Sequence, residues 1–126
     1  MTNDCDKNEF LSNVATNSKF LFAAISRFST ADTKEFFEEC GVPLKVERGK
    51  RVFPVSDKAQ DVVSAMENAC VSSGVSIINK KVEGIIVENG KAVGVIADGE
   101  RYTAKSVIVC TGGASFQRSG SSGDGY

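Results

Sequence analysis

The 126-residue chain contains no histidine. That removes Ser-His-Asp and Cys-His nucleophilic schemes, and imidazole as a general base. Its four cysteines, Cys5, Cys40, Cys70 and Cys110, are widely separated and form no C-x-x-C pair. A cysteine-only zinc site needs such paired spacing, so the thiols read as reduced, three of them serving as small hydrophobes on buried faces. An excess of basic charge is missing too: 15 Lys and Arg stand against 16 Asp and Glu, for a net charge of -1. Neither a nucleic-acid footprint nor a polybasic membrane surface is expected. No apolar run approaches the ~20 residues of a membrane span. The opening residues, M-T-N-D-C-D-K-N-E, are polar and acidic, unlike a signal or Arg-rich transit peptide, and the expected location is cytoplasmic.

What the chain does have is concentrated at its end. Ser106 to Tyr126 reads S-V-I-V-C-T-G-G-A-S-F-Q-R-S-G-S-S-G-D-G-Y. The β-branched run Val107–Cys110 stops at Thr111-Gly112-Gly113, and a second glycine cluster holds Gly120, Gly123 and Gly125 with Asp124 inside it. A short apolar strand emptying into paired glycines is how α/β folds bring backbone N–H groups against a cofactor, because a Cβ would block the approach. The plainer alternative is a buried strand followed by a Gly/Ser-rich tail. Both stay open on residue types alone.

Upstream, 1–16 shows no clear period, although Phe10, Leu11 and Val14 suit one helical turn. Asn17 can cap a helix whose stripe is Phe20, Leu21, Ala24, Ile25 and Phe28. Ser29 and Asp32 form a capping-box pair for a second helix, with Phe36, Phe37 and Cys40 inward and Gly41 at its end. Leu44–Val46 and Arg51–Val55 predict a hairpin with a basic rim of Lys45, Arg48, Lys50 and Arg51. That rim is either an anion contact or a solvated tip. A third helix starts at Ser56 or Asp57, buries Ala59, Val62, Val63, Met66, Ala69 and Cys70, and closes at Gly74. Val75–Ile78 then reads as a strand. Asn89-Gly90 and Asp98-Gly99 are the favoured pairs for type I′ turns, and predict an antiparallel meander of Val82–Glu88, Lys91–Ala97 and Glu100–Thr103. The runs 75–78 and 107–110 look buried on both faces, as in a parallel sheet, yet two parallel strands are no stable core.

The stretch V-x-G-I-I-V-E-N-G-K-A-V-G-V…Y-T-A-K-S-V-I-V-C-T-G-G resembles the crossover of FAD enzymes with two dinucleotide-binding domains, with Cys110 in place of the usual alanine. The blocks R-V-F-P-V-S-D-K-A and T-G-G…G-S-S-G-D-G-Y sharpen the match. With them, nearly the whole chain resembles the bacterial BaiN-type, aminoacetone oxidase-like NAD(P)/FAD-dependent flavoproteins. The resemblance implies an α/β fold (α+β in this piece): a remnant of a parallel FAD-binding sheet, a meander over 82–103 and a helical and hairpin insertion over 17–73. Residues 75–126 would be part of the FAD-binding domain. It implies adenine contact at the backbone of Val82, and Thr111, Gly112 and Gly113 beside the cofactor. Gly123 and Asp124 would lie toward the flavin, although Asp124 also suits a plain turn residue. Thr2-Asn3 looks like the tail of the family's R-C-N-x-T-N run. The implied partners are FAD and a small-molecule substrate. The departure is the missing G-x-G-x-x-G turn, which elsewhere seats the pyrophosphate on a helix N-terminus. The expectation is therefore an internal piece of a flavin-dependent oxidoreductase, not a competent enzyme alone. The alternative is a non-catalytic binding module, prone to strand-swapped homo-oligomers through unpaired edges.

Overall fold

The computed structural model describes residues 1–115, 117–119, 122, 123 and 125. The chain forms two compact units, Met1–Ile77 and Ile78–Tyr126, and combines helices with two small antiparallel sheets.

In the first unit, β1 (Thr2–Asn3), β2 (Leu44–Glu47) and β3 (Arg51–Pro54) form a sheet in the order β1-β3-β2. The β2–β3 hairpin turns where expected. Gly49 and Lys50 there take φ of +77° and +59°. β1 was not legible: its two residues add to the free edge of β3, Thr2 opposite Val52 and Asn3 opposite Arg51. Four helices follow the local signals unevenly. α1 (Lys7–Ser12) is a true short helix, capped by Asp6, whose Oδ1 accepts from the N–H groups of Asn8 and Glu9 at 2.8 and 2.9 Å. Those donors hold the Asp6 carboxyl below the usual range. α2 (Ser18–Arg27) begins after Asn17, but Asn17 is left-handed (φ 53°) and makes no side-chain cap. A capping side chain needs an extended backbone to reach the first turn. α3 (Thr30–Glu39) carries the expected capping box: Ser29 N–H donates to Asp32 Oδ2 at 2.7 Å, and Asp32 N–H to Ser29 Oγ at 3.2 Å. α4 (Ala59–Ser72) starts later than expected, because Asp57 takes φ +58° and cannot lie in a helix.

α3 and α4 end alike. Gly41 (φ +82°) donates to Glu38 O and Val42 to Phe37 O; Gly74 (φ +77°) donates to Val71 O and Val75 to Cys70 O. These paired bonds satisfy carbonyls that the helix leaves open, and only glycine takes the left-handed residue without strain.

α3 packs against β1 and β2, and α4 against β3. Val52, 1% exposed at the centre of β3, is the fullest burial, and is worth about 1.5–3 kcal/mol. Val42 and Ala65 join it, and Thr30, also buried, donates its hydroxyl to Cys5 O. Expected inward positions on three helices are corrected, and on α3 it is Phe36 that is exposed while Phe37 and Cys40 are half-buried. Phe20 of α2 is 78% exposed, and Phe28 is exposed beside it. Three short strands offer too little area for more than α3 and α4, so α2 rests chiefly on α1. On α4 the buried residue is Ala65, while Ala59, Val63 and Met66 face outward.

In the second unit, β4 (Val82–Glu88), β5 (Lys91–Ala97) and β6 (Glu100–Thr103) form the expected meander in that order. The turns have positive φ at both central residues, Asn89 and Gly90 at 50° and 74°, Asp98 and Gly99 at 48° and 75°. That matches the right-handed twist of the flanking strands. The β4–β5 register shifts between Val82 and Gly84 and between Ile86 and Val87, and Ile86 and Ala97 are buried. A Cβ at Gly94 would run into the Tyr102 carbonyl oxygen.

The runs 75–78 and 107–110 are not strands. Their backbone is non-repetitive and joins neither sheet, and every ladder among the described residues is antiparallel. An extended segment becomes a strand only when a partner takes its N–H and C=O groups. Ile108 is accordingly 85% exposed, where burial on both faces was expected.

Candidate functional site

Val82, at the start of β4, and Thr111, after the run 107–110, line one groove of about 510 Å³ in the second unit. Ile85, Val95, Val107 and Val109 make its bed apolar, and Thr111, Ser122 and Cys110 add two hydroxyls and a thiol. Gly125 also lines it, and a Cβ there would strike the Thr111 side chain. This glycine therefore permits a close approach between the segment and Thr111.

The other expected site residues are placed differently. Gly112 (φ +73°) and Gly113 follow Thr111 directly but are not in the lining. Gly123 (φ +83°) neighbours Ser122, which is. Asp124 and Gly120 lie outside the described residues. Sequence reasoning missed Lys81, Glu83 and Ser122, all in the lining. The polar residues flanking Val82 were the available signal for the first two.

Charge around the groove is organised by the second meander turn. Asp98 N–H donates to Lys81 O at 3.1 Å and Asp98 Oδ1 accepts from Lys81 N–H at 3.3 Å. Glu83 Oε2 accepts from Gly99 N–H at 3.2 Å. Lys80 donates to Glu100 Oε2 at 2.5 Å, and Tyr102 OH donates to the same oxygen at 2.9 Å. Glu100, with Tyr102, pushes the Lys80 ammonium above its usual range, and Lys80 and Tyr102 hold Glu100 below its own.

The basic rim of the β2–β3 hairpin is largely paired within the fold. Lys45 pairs with Asp57 at 2.7 Å and Lys50 with Glu9 at 2.5 Å. Arg51 lies 3.7 Å from Glu47 and donates to Arg48 O. Most of the rim's charge is thus spent internally. A second cavity, about 470 Å³ and within the first unit, carries Asp61, Ser64 and Asn68 of α4 opposite Val42 and Pro43. Among the described residues no cluster suits a metal ion, and no helix is long and apolar enough to cross a membrane.

The groove pairs an apolar bed with a few polar groups at its edge. The second unit's described residues give a diphosphate no helix N-terminus, since their only helical piece is a 3-10 turn at Gln117–Ser119. The residues present therefore fit the ring share of a dinucleotide, and leave its diphosphate to side-chain charge or to groups elsewhere.

Comparison with known proteins gives the groove its context. Residues 1–126 match the family described as HI0933-like protein Rossmann domain. The chain is 32% identical over 112 residues to a 3-dehydro-bile acid delta(4,6)-reductase from Clostridium scindens, an alignment covering 86% of this chain and 26% of that protein. The chain thus spans about a quarter of the length of that curated relative. The match over the full sequence places the chain in the HI0933-like protein Rossmann-domain family.

Proposed function

We propose that this chain forms part of the FAD site of a flavin-dependent oxidoreductase acting on a small organic molecule. The observation that carries the reading is the single apolar groove lined by both Val82 and Thr111, the two ends of the stretch that resembles the FAD-enzyme crossover. Family membership and a relative that is a reductase support it. Bound FAD would supply the hydride chemistry. The chain's part is to seat a ring on Val95, Val107 and Val109, to exclude water from it, and to offer the Val82 main chain and the Thr111 hydroxyl as hydrogen-bonding groups. Gly112, Gly113, Gly123 and Asp124 belong to the cofactor's surroundings in this reading. Residues 17–73 serve as an insertion and 75–126 as part of the FAD domain. No side chain is assigned as acid or base: of the titratable residues described in the groove, Glu83 is taken by the Gly99 N–H, and Lys81 and Cys110 are not paired with a partner for that work. The pyrophosphate turn is absent from this sequence, so the chain alone binds FAD weakly and turns nothing over.

FAD titrated into the chain, followed by flavin fluorescence and thermal shift, tests this. Weak saturable binding that Val109→Asp abolishes is the expected result. An unchanged response in Val109→Asp, or no response up to the solubility of FAD, would falsify the groove as the site. The unpaired, exposed run at Ile108 and Val109 favours a second reading, a non-catalytic module that self-associates by strand addition. Sedimentation showing a concentration-dependent dimer with no flavin response would select it; micromolar FAD affinity would remove it.

A further inference from the structure

Among the described residues the groove has one cationic side chain, Lys81, and one carboxylate, Glu83. The carboxylate is occupied, with Oε2 accepting from Gly99 N–H. The adjacent lysine, Lys80, is spent on Glu100 and lies over the Tyr102 ring. Lys81 differs from both. Among the described residues its ammonium forms no ion pair, while its backbone is pinned on both sides by Asp98. Asp98 is itself fixed in a type I′ turn. A long cationic side chain is thereby held by a rigid main chain at the edge of an apolar bed. The same unit offers an anion no helix N-terminus among its described residues.

From this we infer that Lys81 is a specificity-determining residue of the groove. Its ammonium supplies the counter-charge for the phosphate of an adenylate, so the groove prefers adenosine carrying a 5′-phosphate to adenosine alone. The inference rests on the FAD reading and deepens it, since the adenylate is one half of that cofactor. The physical requirement is simple. A phosphate settling at the edge of a valine-lined groove sheds part of its solvation, which a neighbouring cation offsets. A point-charge contact of this kind tolerates Arg, and weakens as salt rises.

The test is binding of adenosine, ADP and FAD to the full chain and to Lys81→Gln and Lys81→Arg, read as chemical-shift changes of the groove amides. Wild type is expected to bind ADP about tenfold more tightly than adenosine, a difference of about 1.4 kcal/mol. In Lys81→Gln that ratio falls to near one with adenosine binding unchanged, and Lys81→Arg restores it. Added salt weakens ADP binding in wild type and not in Lys81→Gln. A ratio that survives in Lys81→Gln, while FAD still binds, overturns the role of Lys81 and leaves the FAD reading standing. A wild-type groove that responds to none of the three ligands overturns both. Equal loss of ADP and adenosine binding in Lys81→Gln, with its thermal melt unchanged, marks Lys81 as a groove-shaping residue and overturns the charge role.

Discussion

Lys80 and Glu100 are held against each other at 2.5 Å, and Tyr102 OH joins the same carboxylate oxygen from two residues along β6. The trio ties the segment leading into β4 to the far edge of the meander, across which Lys80 has no main-chain partner of its own in the sheet. It is a clamp on the groove's approach rather than part of the lining.

The clamp has a pH window. Glu100 is held below its ordinary value of 4.5, so its contribution is complete above that value and is lost as pH falls through the lower folded value. Lys80 is held above its ordinary 10.5, so its contribution is complete below 10.5 and is lost as pH rises through the higher folded value. Glu100→Gln is therefore expected to lower the melting temperature at pH 7. The variant and wild-type melts should converge well below pH 4.5. A difference that persists undiminished in acid would show that the carboxylate charge is not what matters.

Gly94→Ala places a methyl group against the Tyr102 carbonyl and Thr103 Cα, both backbone atoms that cannot swing aside. Overpacking of this kind costs about 1–3 kcal/mol. Urea unfolding of the variant should show the loss. Gly84→Ala, on the same sheet but meeting nothing nearby, should cost clearly less.

Ser29→Ala removes one half of the α3 capping box and leaves the Asp32 N–H without its side-chain acceptor. The expected cost is about 1 kcal/mol, read as a lower urea midpoint with an unchanged slope. Ser29→Thr should recover most of it, since a threonine hydroxyl can both accept the Asp32 N–H and donate to the Asp32 carboxylate as Ser29 does.

Cys110 is exposed and lines the groove, whereas burial raises the half-buried Cys5 thiol above its ordinary value. Only the thiolate reacts. Iodoacetamide at neutral pH should modify Cys110 at least about tenfold faster than Cys5, and FAD should slow the reaction at Cys110 alone. Equal protection of both thiols would point to a general change of the fold instead.

The meander could be read from the sequence because its instructions are local. Asn89-Gly90 and Asp98-Gly99 each need positive φ at two successive positions, and few other residue pairs allow it. The helix ends at Gly41 and Gly74 were legible for the same reason. What failed was every judgement that depends on a distant partner. Phe20 and Met66 sit in correct helical stripes, yet a stripe states which face is apolar and not whether anything covers it. Val107–Cys110 has strand composition without a ladder to join. β1 was invisible, because two residues carry no period and its partner β3 lies far along the chain. Of the groove's lining, the resemblance pointed to Val82 and Thr111, while Lys81 and Glu83 entered only through the shape of the groove.

The exposed run that bounds this groove also bears on how the protein must be handled. Ser106–Thr111 is six residues of strand-forming composition, with no proline, glycine or charge. That is the sequence signature of segments that stack into cross-β fibrils. Lys105 guards one flank, while the other opens onto glycine. Conversion through such a segment needs no global unfolding, only encounters between chains, so it proceeds by nucleation with a lag that shortens steeply with concentration. A concentrated sample is therefore expected to lose soluble protein at a rate that rises with concentration, without either unit having to melt.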